Sequence, residues 1–515
     1  MKKIKDILKK NNINDYVLYG DYQAKIPFKS EFNKDSKLIL VTATTPTKYG
    51  EGKTTVAIGL HDTMRKMGYK SMLSLREPSL GPTFGVKGGA TGGGKALVLP
   101  EVNINLHFNG DFHAITSANN LICAQIDNEI FQGNELDIQR ITFKRCLDIC
   151  DRSLREITYE INGTVINNGF EITAASEIMA VLCLAKDYDD LKNRLENMII
   201  GYNSKNEEIY LKDLNMVESV LALLRDAINP NVVQSNYGNP VIVHGGPFAN
   251  IAHGCSTITS LNVASYLGDY VITEAGFAAD MGGFKFLDIV ARNNNIKPYA
   301  VVLITTIRSL KYMGQDSLVD GLENLRAHIE NLLKLNTNLV VTLNKFDDDT
   351  KKDIKVVKDF VNSLGVKFAT NSVYQDGEKG AKDLVKEIVS FEDTKEVNYL
   401  YSLDDKTIDK INAYLTNIMH ANPLKVSDEQ LELINSFDKY KYPICMVKTE
   451  KSISHDPKVF GYPKDYDVTL KDIKVSNGAK FIKVYLGGII TMPGLSKTPS
   501  LKEVKFDNGD IVLPR

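Results

Sequence analysis

One short stretch limits most strongly what this chain can fold into: TPTKYGEGKTT, from Thr45 to Thr55. The run KLILVTATT before it is apolar and β-branched, as in a buried strand, and the residues after Lys53 change to helical spacing. A strand, a glycine-bearing loop and a helix start in this order turn consecutive backbone N–H groups toward one point, where the positive end of the helix dipole also lies. The stretch therefore predicts a phosphate-binding loop.

The residue types in the loop suit a bound nucleotide. We assign nucleotide binding to the run Thr47, Lys48, Tyr49, Gly50, Glu51, Gly52, Lys53 and Thr54. Gly52 permits close approach of a phosphate, Lys53 can reach the outer phosphates, and the Thr54 hydroxyl suits Mg²⁺. The strict pattern G-x-x-x-x-G-K-[ST] has Gly where this chain has Thr47, so an ordinary Gly–Lys turn stays an alternative.

The composition is that of an ordinary globular protein. The chain has 515 residues, 43% of them hydrophobic and 24% charged, and its formal net charge of -2 gives no sign of nucleic-acid binding. Its length suggests about three domains. No run approaches the roughly 20 apolar residues of a membrane span, and the basic N-terminal stretch lacks a signal-peptide core. Six cysteines without a C-x-x-C pair are expected to be buried free thiols, as in a reducing cytoplasm.

The order of strand, polar loop and helix recurs along the chain. Other apolar runs of strand length are each followed closely by polar residues, which include Arg76, His244, Glu274, Thr305 and Asn344. This repetition predicts an α/β fold with a mostly parallel sheet covered by helices on both faces. Because ligands bind at the carboxyl ends of such strands, Arg76 is expected to face the same crevice as Lys53. A structural ion pair with Glu77 or another acid is the alternative for Arg76.

Three units are predicted along the chain. They are a P-loop NTPase-like nucleotide-binding domain over residues 1–290, a second α/β domain over 291–395, and a smaller α+β domain over 396–515. Within the first unit, residues from about 119 to 157 show helical spacing throughout. Six glycines between residues 85 and 94, interleaved with Lys87 and Lys95, indicate either a lid over phosphate or substrate or a mobile loop.

Several long and unusual strings occur together: TPTKYGEGKTT, LREPSLGPTFGVKGGATGGG, NLHFNGDFHAI, HGGPFANIAHGC, TEAGFAADMG and TMPGL. In these strings the chain resembles the formate–tetrahydrofolate ligase family, from about Lys25 to Pro499. The resemblance implies that ATP, formate and tetrahydrofolate react through formyl phosphate to give 10-formyltetrahydrofolate, ADP and phosphate. It also implies a site for ATP and Mg²⁺ at the phosphate loop, a cytoplasmic homotetramer of three-domain chains, and stimulation by monovalent cations.

The resemblance also assigns roles to single residues. At matching positions, Lys53 and Thr54 bind the nucleotide, Arg76 holds formate and formyl phosphate, and Phe346 is similar to one of two aromatic residues that clasp folate. The chemistry agrees, because formate is a poor electrophile that must first become an acyl phosphate. Bringing two anions together needs concentrated positive charge, which Lys53, Mg²⁺ and Arg76 would supply. Arg76 and Lys53 are therefore the candidate catalytic residues.

Four positions depart from the family pattern. Tyr374 stands where the second folate clasp is usually Trp, Phe284 and Gly488 stand where acidic residues are usual, and the segment near Asn162 is shortened. Stacking survives at Tyr374 with a smaller aromatic face. The departures favour one alternative, a paralogue that binds nucleotide but no longer ligates formate. A second alternative is a P-loop GTPase, because TLNKFD contains the Asn-Lys-x-Asp pattern that recognises guanine.

Overall fold

The computed structural model describes residues 1–87 and 89–514. Gly88, Arg515 and the side chains of Val86 and Lys87 lie outside that description, and so do the roles expected of Gly88 and Lys87 in the glycine-rich stretch. In the described residues, twelve strands form one central sheet. In chain order they are β1 (Val17–Tyr19), β2 (Gln23–Lys25), β3 (Lys37–Ala43), β4 (Ser71–Leu75), β5 (Gly92–Gly93), β6 (Ala96–Leu99), β7 (Asn231–Ser235), β8 (Pro240–Val243), β9 (Tyr270–Glu274), β10 (Pro298–Thr305), β11 (Leu339–Asn344) and β12 (Lys367–Asn371).

The sheet is parallel over most of its width. Its order is β1-β2-β7-β8-β4-β9-β3-β10-β11-β12, with the hairpin of β5 and β6 added beside β7. The strands from β8 to β12 in that order run parallel, whereas β1, β2, β5, β6 and β7 form antiparallel pairs at one edge. Every residue of β10 is buried, as is typical of a parallel strand covered on both faces. The prediction of a mostly parallel α/β sheet is confirmed.

The two faces of the sheet pack into separate hydrophobic cores. In β3, Leu38 belongs to one core and Ile39 to the other, because successive side chains of a strand point to opposite faces. Helices cover both cores. Those of seven or more residues in the described part are Ile4–Lys10, Lys53–Lys66, Asp111–Phe131, Glu177–Leu184, Tyr188–Glu196, Val217–Leu224, Ile258–Leu267, Ile307–Met313, Leu318–Lys334, Lys351–Ser363, Lys382–Val389, Thr407–Tyr414 and Asp428–Asn435.

Smaller sheets surround the central one. Ile138–Ile141, Ile199–Asn203 and Glu208–Tyr210 form an antiparallel sheet, Arg145–Leu147 pairs with Phe170–Ile172, and Ile157–Ile161 with Thr164–Asn168 makes a hairpin. Near the C-terminus, Phe481–Tyr485 pairs in parallel with Ile444–Val447 and antiparallel with Asp472–Ser476. Lys505–Asp507 and Asp510–Val512 form the last hairpin. The C-terminal part therefore combines helices with a small mixed sheet.

The central sheet crosses the boundary that the sequence suggests near residue 290. Strand β10 follows that boundary and pairs in parallel with β3. Strand β3 lies more than 250 residues before β10 in the chain. The division into three domains and the likeness to P-loop NTPases stay predictions. The parallel strands have their carboxyl ends on the same side of the sheet, and this side positions the site. They are β3, β4, β9, β10, β11 and β12.

The expectation of helix throughout residues 119–157 is wrong beyond Phe131. The helix Asp111–Phe131 ends there, and the strands Ile138–Ile141 and Arg145–Leu147 follow. Strand Ile138–Ile141 pairs with Ile199–Asn203, a partner far along the chain. Backbone pairing with such a partner outweighs the local helical spacing, which is a weak preference.

Two further observations concern membrane-spanning helices and the cysteines. Within the described ranges, no helix combines the length and the apolar character that a bilayer span requires. All six cysteines are free thiols, five of them buried and Cys150 partly exposed, which agrees with most of the expectation from their spacing.

We predict that Gly59→Ala destabilises the protein. Gly59 lies in the helix Lys53–Lys66, and a Cβ there would be 2.3 Å from Val373 Cβ, so the helix and the segment after β12 would have to separate. Such overpacking costs about 1–3 kcal/mol of the free energy of unfolding. Calorimetry should show a lower melting temperature for Gly59→Ala. Gly488→Ala is the control, because a Cβ at Gly488 meets no atom within 4 Å. Equal melting temperatures for the two variants would contradict this packing.

Candidate active site

The phosphate loop has the predicted local structure. Strand β3 ends at Ala43, and the helix Lys53–Lys66 begins after Gly52, whose φ of 74° lies in the left-handed region that favours glycine. Gly50 has φ 72° and shares this requirement. The helix N-terminus therefore points its free N–H groups into the concave side of the loop, which is the arrangement that binds phosphate.

A carboxylate inside the loop holds its shape. Glu51 is buried, and its Oε1 accepts hydrogen bonds from the Thr47 backbone N–H at 2.9 Å and from the Thr47 hydroxyl at 3.1 Å. Burial raises the pKa of Glu51, and the nearby Lys53 ammonium counteracts this increase. Thr47, which takes the place of the first glycine in the strict pattern, thus gains a role as donor to Glu51.

The end of the loop is fixed from β11. Asn344 Nδ2 donates to the Glu51 carbonyl at 3.1 Å, and a Cβ on Gly52 would lie only 2.7 Å from the same nitrogen. Glycine is therefore required at position 52 both by its φ and by this close approach. The buried Asn344 side chain therefore holds the end of the phosphate loop in place from β11.

The structure brings Lys53, Thr54 and Arg76 to one place around Glu274. The Thr54 hydroxyl donates to Glu274 Oε2 at 2.9 Å, and Arg76 Nη2 lies 4.0 Å from Glu274 Oε1. Burial lowers the pKa of Lys53; the carboxylates of Glu51 and Glu274 counteract this, and the Arg76 guanidinium adds to it. Lys53 and Arg76 therefore both interact with the Glu274 carboxylate.

Arg76 retains hydrogen-bonding capacity for a ligand. Its Nη1 has only a long contact, 3.5 Å, with the Pro247 carbonyl, and its buried Nε has no hydrogen-bond partner among the described residues. Its carboxylate neighbour within ion-pair distance is Glu274 and not Glu77. A partly buried guanidinium with an unpaired buried Nε suits a small oxyanion, because a buried donor is costly to leave unpaired.

His253 is a site residue to which the sequence patterns assign no role. His253 is fully buried in the loop before the helix Ile258–Leu267, not within a helix, and neither ring nitrogen has a hydrogen-bond partner in the described part. Burial lowers the pKa of His253 to about 3, and the cations Lys285 and Arg76 add to the effect. The ring is therefore neutral at neutral pH beside the Arg76 pocket. In the sequence, His253 could have been found through the string HGGPFANIAHGC, which contains it and is one of the strings that carry the family resemblance.

The two aromatic candidates follow neighbouring strands. Phe346 comes two residues after β11, and the Arg308 guanidinium lies 4.3 Å from the centre of its ring. Tyr374 lies in the short helix Val373–Asp376 after β12 and is half exposed at 52%. Both rings are therefore at the carboxyl edge of the sheet. The glycine-rich stretch supports Tyr374, since Lys95 N–H donates to the Tyr374 carbonyl at 2.8 Å.

Two of the assigned loop residues point outward. Tyr49 is 54% exposed, with its ring edge-on to Tyr312 at 6.4 Å, and Lys48 Nζ lies 5.1 Å from the Tyr49 ring. These side chains are outside the Glu274 cluster, so any contact with a nucleotide would be at the rim of the crevice.

The other departures from the family pattern lie away from this cluster. Phe284 is buried against Tyr414, with ring centres 5.0 Å apart, so it fills a hydrophobic core position. Gly488 is exposed. Asn162 is in the turn of the hairpin Ile157–Ile161 and Thr164–Asn168, which is therefore what the shortened segment forms.

The chain matches known proteins over nearly its whole length. A family model described as formate–tetrahydrofolate ligase matches residues 1–513. A formate–tetrahydrofolate ligase from Caldicellulosiruptor saccharolyticus is 45% identical over 526 aligned positions, which cover 97% of this chain and 95% of that protein. One from Campylobacter concisus is 46% identical over 516 positions, covering 96% of this chain and 94% of that protein.

We predict that Asn344→Ala weakens nucleotide binding. The substitution removes the hydrogen bond to the Glu51 carbonyl, so the end of the phosphate loop is no longer held, and the dissociation constant of ATP should rise up to about tenfold. Isothermal titration calorimetry measures this constant. Asn371→Ala is the matched control: Asn371 is the register partner of Asn344 on β12, is equally buried, and donates to Thr342 instead of the loop. Equal losses in both variants would contradict the clamp.

Proposed function

The chain belongs to the formate–tetrahydrofolate ligase family, and we propose that it forms 10-formyltetrahydrofolate from ATP, formate and tetrahydrofolate by way of formyl phosphate at the Lys53–Arg76 crevice. The observation that carries the proposal concerns Glu274: Arg76, after the end of β4, lies 4.0 Å from this carboxylate, and the same carboxylate favours the charged form of Lys53 at the start of the helix after the loop. Arg76 and Lys53 are the proposed catalytic residues.

The first step transfers a phosphoryl group between two anions. A formate oxygen attacks the terminal phosphorus of ATP, a new P–O bond forms, and the bond to the ADP oxygen breaks. The Arg76 fork holds formate while Lys53 and the N–H groups of residues 52–54 hold the phosphates, so that charge repulsion is offset and the reacting atoms are aligned. In the second step the tetrahydrofolate amine attacks the formyl carbon, phosphate leaves, and the amine loses its proton.

The residues beside Lys53 also fit a magnesium ion. The Thr54 hydroxyl and the Glu274 carboxylate are hard oxygen donors that lie together, which is the ligand type that Mg²⁺ prefers alongside substrate phosphates. Magnesium bound there with ATP would neutralise charge on the outer phosphates. The Thr54 hydroxyl donates to Glu274, so this carboxylate orients the hydroxyl.

We assign the folate side of the crevice to Phe346 and Tyr374. Their positions after the neighbouring strands β11 and β12 support an aromatic clasp for a planar ring. Several further properties are proposed from family membership: a P-loop NTPase-like nucleotide domain, the three-domain division, a homotetramer and stimulation by monovalent cations.

The proposal is tested by product formation from the three substrates. Formyl phosphate can be trapped with hydroxylamine when tetrahydrofolate is omitted, which separates the first step from the second. Trapped formyl hydroxamate that requires ATP and formate supports the intermediate. If ATP binds but neither hydroxamate nor formylated folate appears, the chain is the nucleotide-binding paralogue instead.

We expect Arg76→Lys to lower kcat for ligation by about a hundredfold or more, because lysine keeps the charge but loses the fork that aligns an oxyanion. Phosphate release that depends on formate measures the rate. The control is Arg326→Lys, which alters a partly exposed arginine paired with Glu323 at 3.0 Å. A nearly unchanged kcat for Arg76→Lys would remove Arg76 from the mechanism.

Tyr374→Trp is expected to lower the KM for tetrahydrofolate by up to about tenfold, because a larger ring offers more stacking surface. Tyr374→Leu should raise the same KM. In both variants the KM for ATP should stay constant, since Tyr374 belongs to the folate side. An unchanged KM for tetrahydrofolate in both variants would show that Tyr374 does not contact folate.

A further inference from the structure

A buried polar seam runs along the helix Leu318–Lys334. Asn324, His328 and Asn331 are spaced at i, i+4 and i+7, so they share one face of the helix, and each is at most 2% exposed. Polar side chains on a buried helix face require partners. The partners of this seam lie on the phosphate loop and on the C-terminal part of the chain.

The first two seam residues contact the start of the phosphate loop. Thr45 N–H donates to His328 Nε2 at 3.0 Å, and Asn324 Nδ2 donates to Thr45 Oγ1 at 3.0 Å. A backbone N–H can only donate, so Nε2 is the acceptor and the proton of the neutral ring lies on Nδ1. Burial lowers the pKa of His328 to about 4, which keeps Nε2 available as an acceptor at neutral pH.

The other nitrogen of His328 faces a buried ion pair. Asp280 Oδ1 lies 3.9 Å from His328 Nδ1, and Asp280 Oδ2 lies 2.8 Å from Lys448 Nζ. The negative charge of Asp280 favours the tautomer with the proton on Nδ1, which leaves Nε2 for Thr45. Lys448 directly follows the C-terminal strand Ile444–Val447. This strand therefore helps to fix the position of Asp280 beside the His328 ring.

The seam makes further contacts with the C-terminal part. Asn324 Nδ2 also donates to the Gly461 carbonyl at 2.9 Å, and Asn331 Nδ2 donates to the Ile418 carbonyl at 2.8 Å. Among the described residues, no hydrogen bond joins Asn331 to the phosphate loop. The helix therefore joins the loop to the C-terminal part through Asn324 and His328, whereas Asn331 joins only the helix and the C-terminal part.

Thr45 lies at the start of the phosphate loop, so the hydrogen bonds of Asn324 and His328 to Thr45 fix the backbone where the loop leaves β3. It comes two residues after the end of β3, just before the residues whose N–H groups form the concave side of the loop. We propose that Asn324 and His328 are positioning residues for ATP, which hold the Thr45 peptide so that the loop is already shaped when the phosphates arrive. A loop that is held in advance binds without an ordering cost. The inference rests on the proposed binding of ATP at this loop.

The test compares His328→Leu, which has no acceptor, with His328→Gln, whose side-chain oxygen can accept from Thr45 N–H. We expect His328→Leu to raise the dissociation constant of Mg–ATP about tenfold or more, because a buried backbone donor is left unpaired. His328→Gln should keep most of the affinity. The KM values for formate and tetrahydrofolate should change little in either variant.

Asn331→Ala is the matched control, since it removes a buried amide from the same helix face without touching the loop. It should lower the melting temperature but leave the dissociation constant of Mg–ATP unchanged. Should His328→Leu fail to fold, Asn324→Ala serves in its place, with an expected loss of about threefold to tenfold in ATP affinity.

Two results would overturn the inference: wild-type ATP affinity in folded His328→Leu and Asn324→Ala, or equal loss of ATP affinity in these variants, His328→Gln and Asn331→Ala. Lys53→Ala separates the inference from the proposed function. If Lys53→Ala also binds Mg–ATP normally, the nucleotide is not bound at this loop and the proposed function fails. If Lys53→Ala loses affinity while the seam variants do not, only the positioning role fails.

Discussion

The site depends on two cations held close together by a carboxylate. The Lys53 ammonium and the Arg76 guanidinium are both partly buried and repel each other, and each charge is costly in a region from which water is partly excluded. Glu274 lies between the Thr54 hydroxyl and the Arg76 guanidinium, and with Glu51 it favours the charged form of Lys53. The same concentration of positive charge favours binding of anions such as phosphate and formate.

The phosphate loop is held by groups from outside its own strand–loop–helix unit. Asn344 holds its end and His328 holds its start, while Glu51 braces it from inside. Because a loop has few internal contacts, its shape depends on such external hydrogen bonds. The C-terminal part contributes no strand to the central sheet in the described residues, but it takes part in this support through Lys448, which pairs with Asp280 beside His328.

The sequence predicted correctly the features that a short segment encodes by itself, and it failed where a segment is stabilised by residues far away in the chain. The repeated order of strand, polar loop and helix gave the parallel sheet correctly, since each unit carries its own periodicity. The residues after Phe131 were wrongly expected to be helical, because strand Ile138–Ile141 is stabilised by a distant partner.

The sequence by itself determined the phosphate loop, the strand ends that carry Arg76 and Phe346, and the family, because local periodicity and motif strings are written along the chain. Tertiary structure alone decided which groups complete the site. Glu274 meets Thr54 from 220 residues away, His328 meets Thr45 from 283, and Asn344 meets Glu51 from 293. Which distant side chain reaches a given loop follows from strand order and helix packing, which local spacing does not encode.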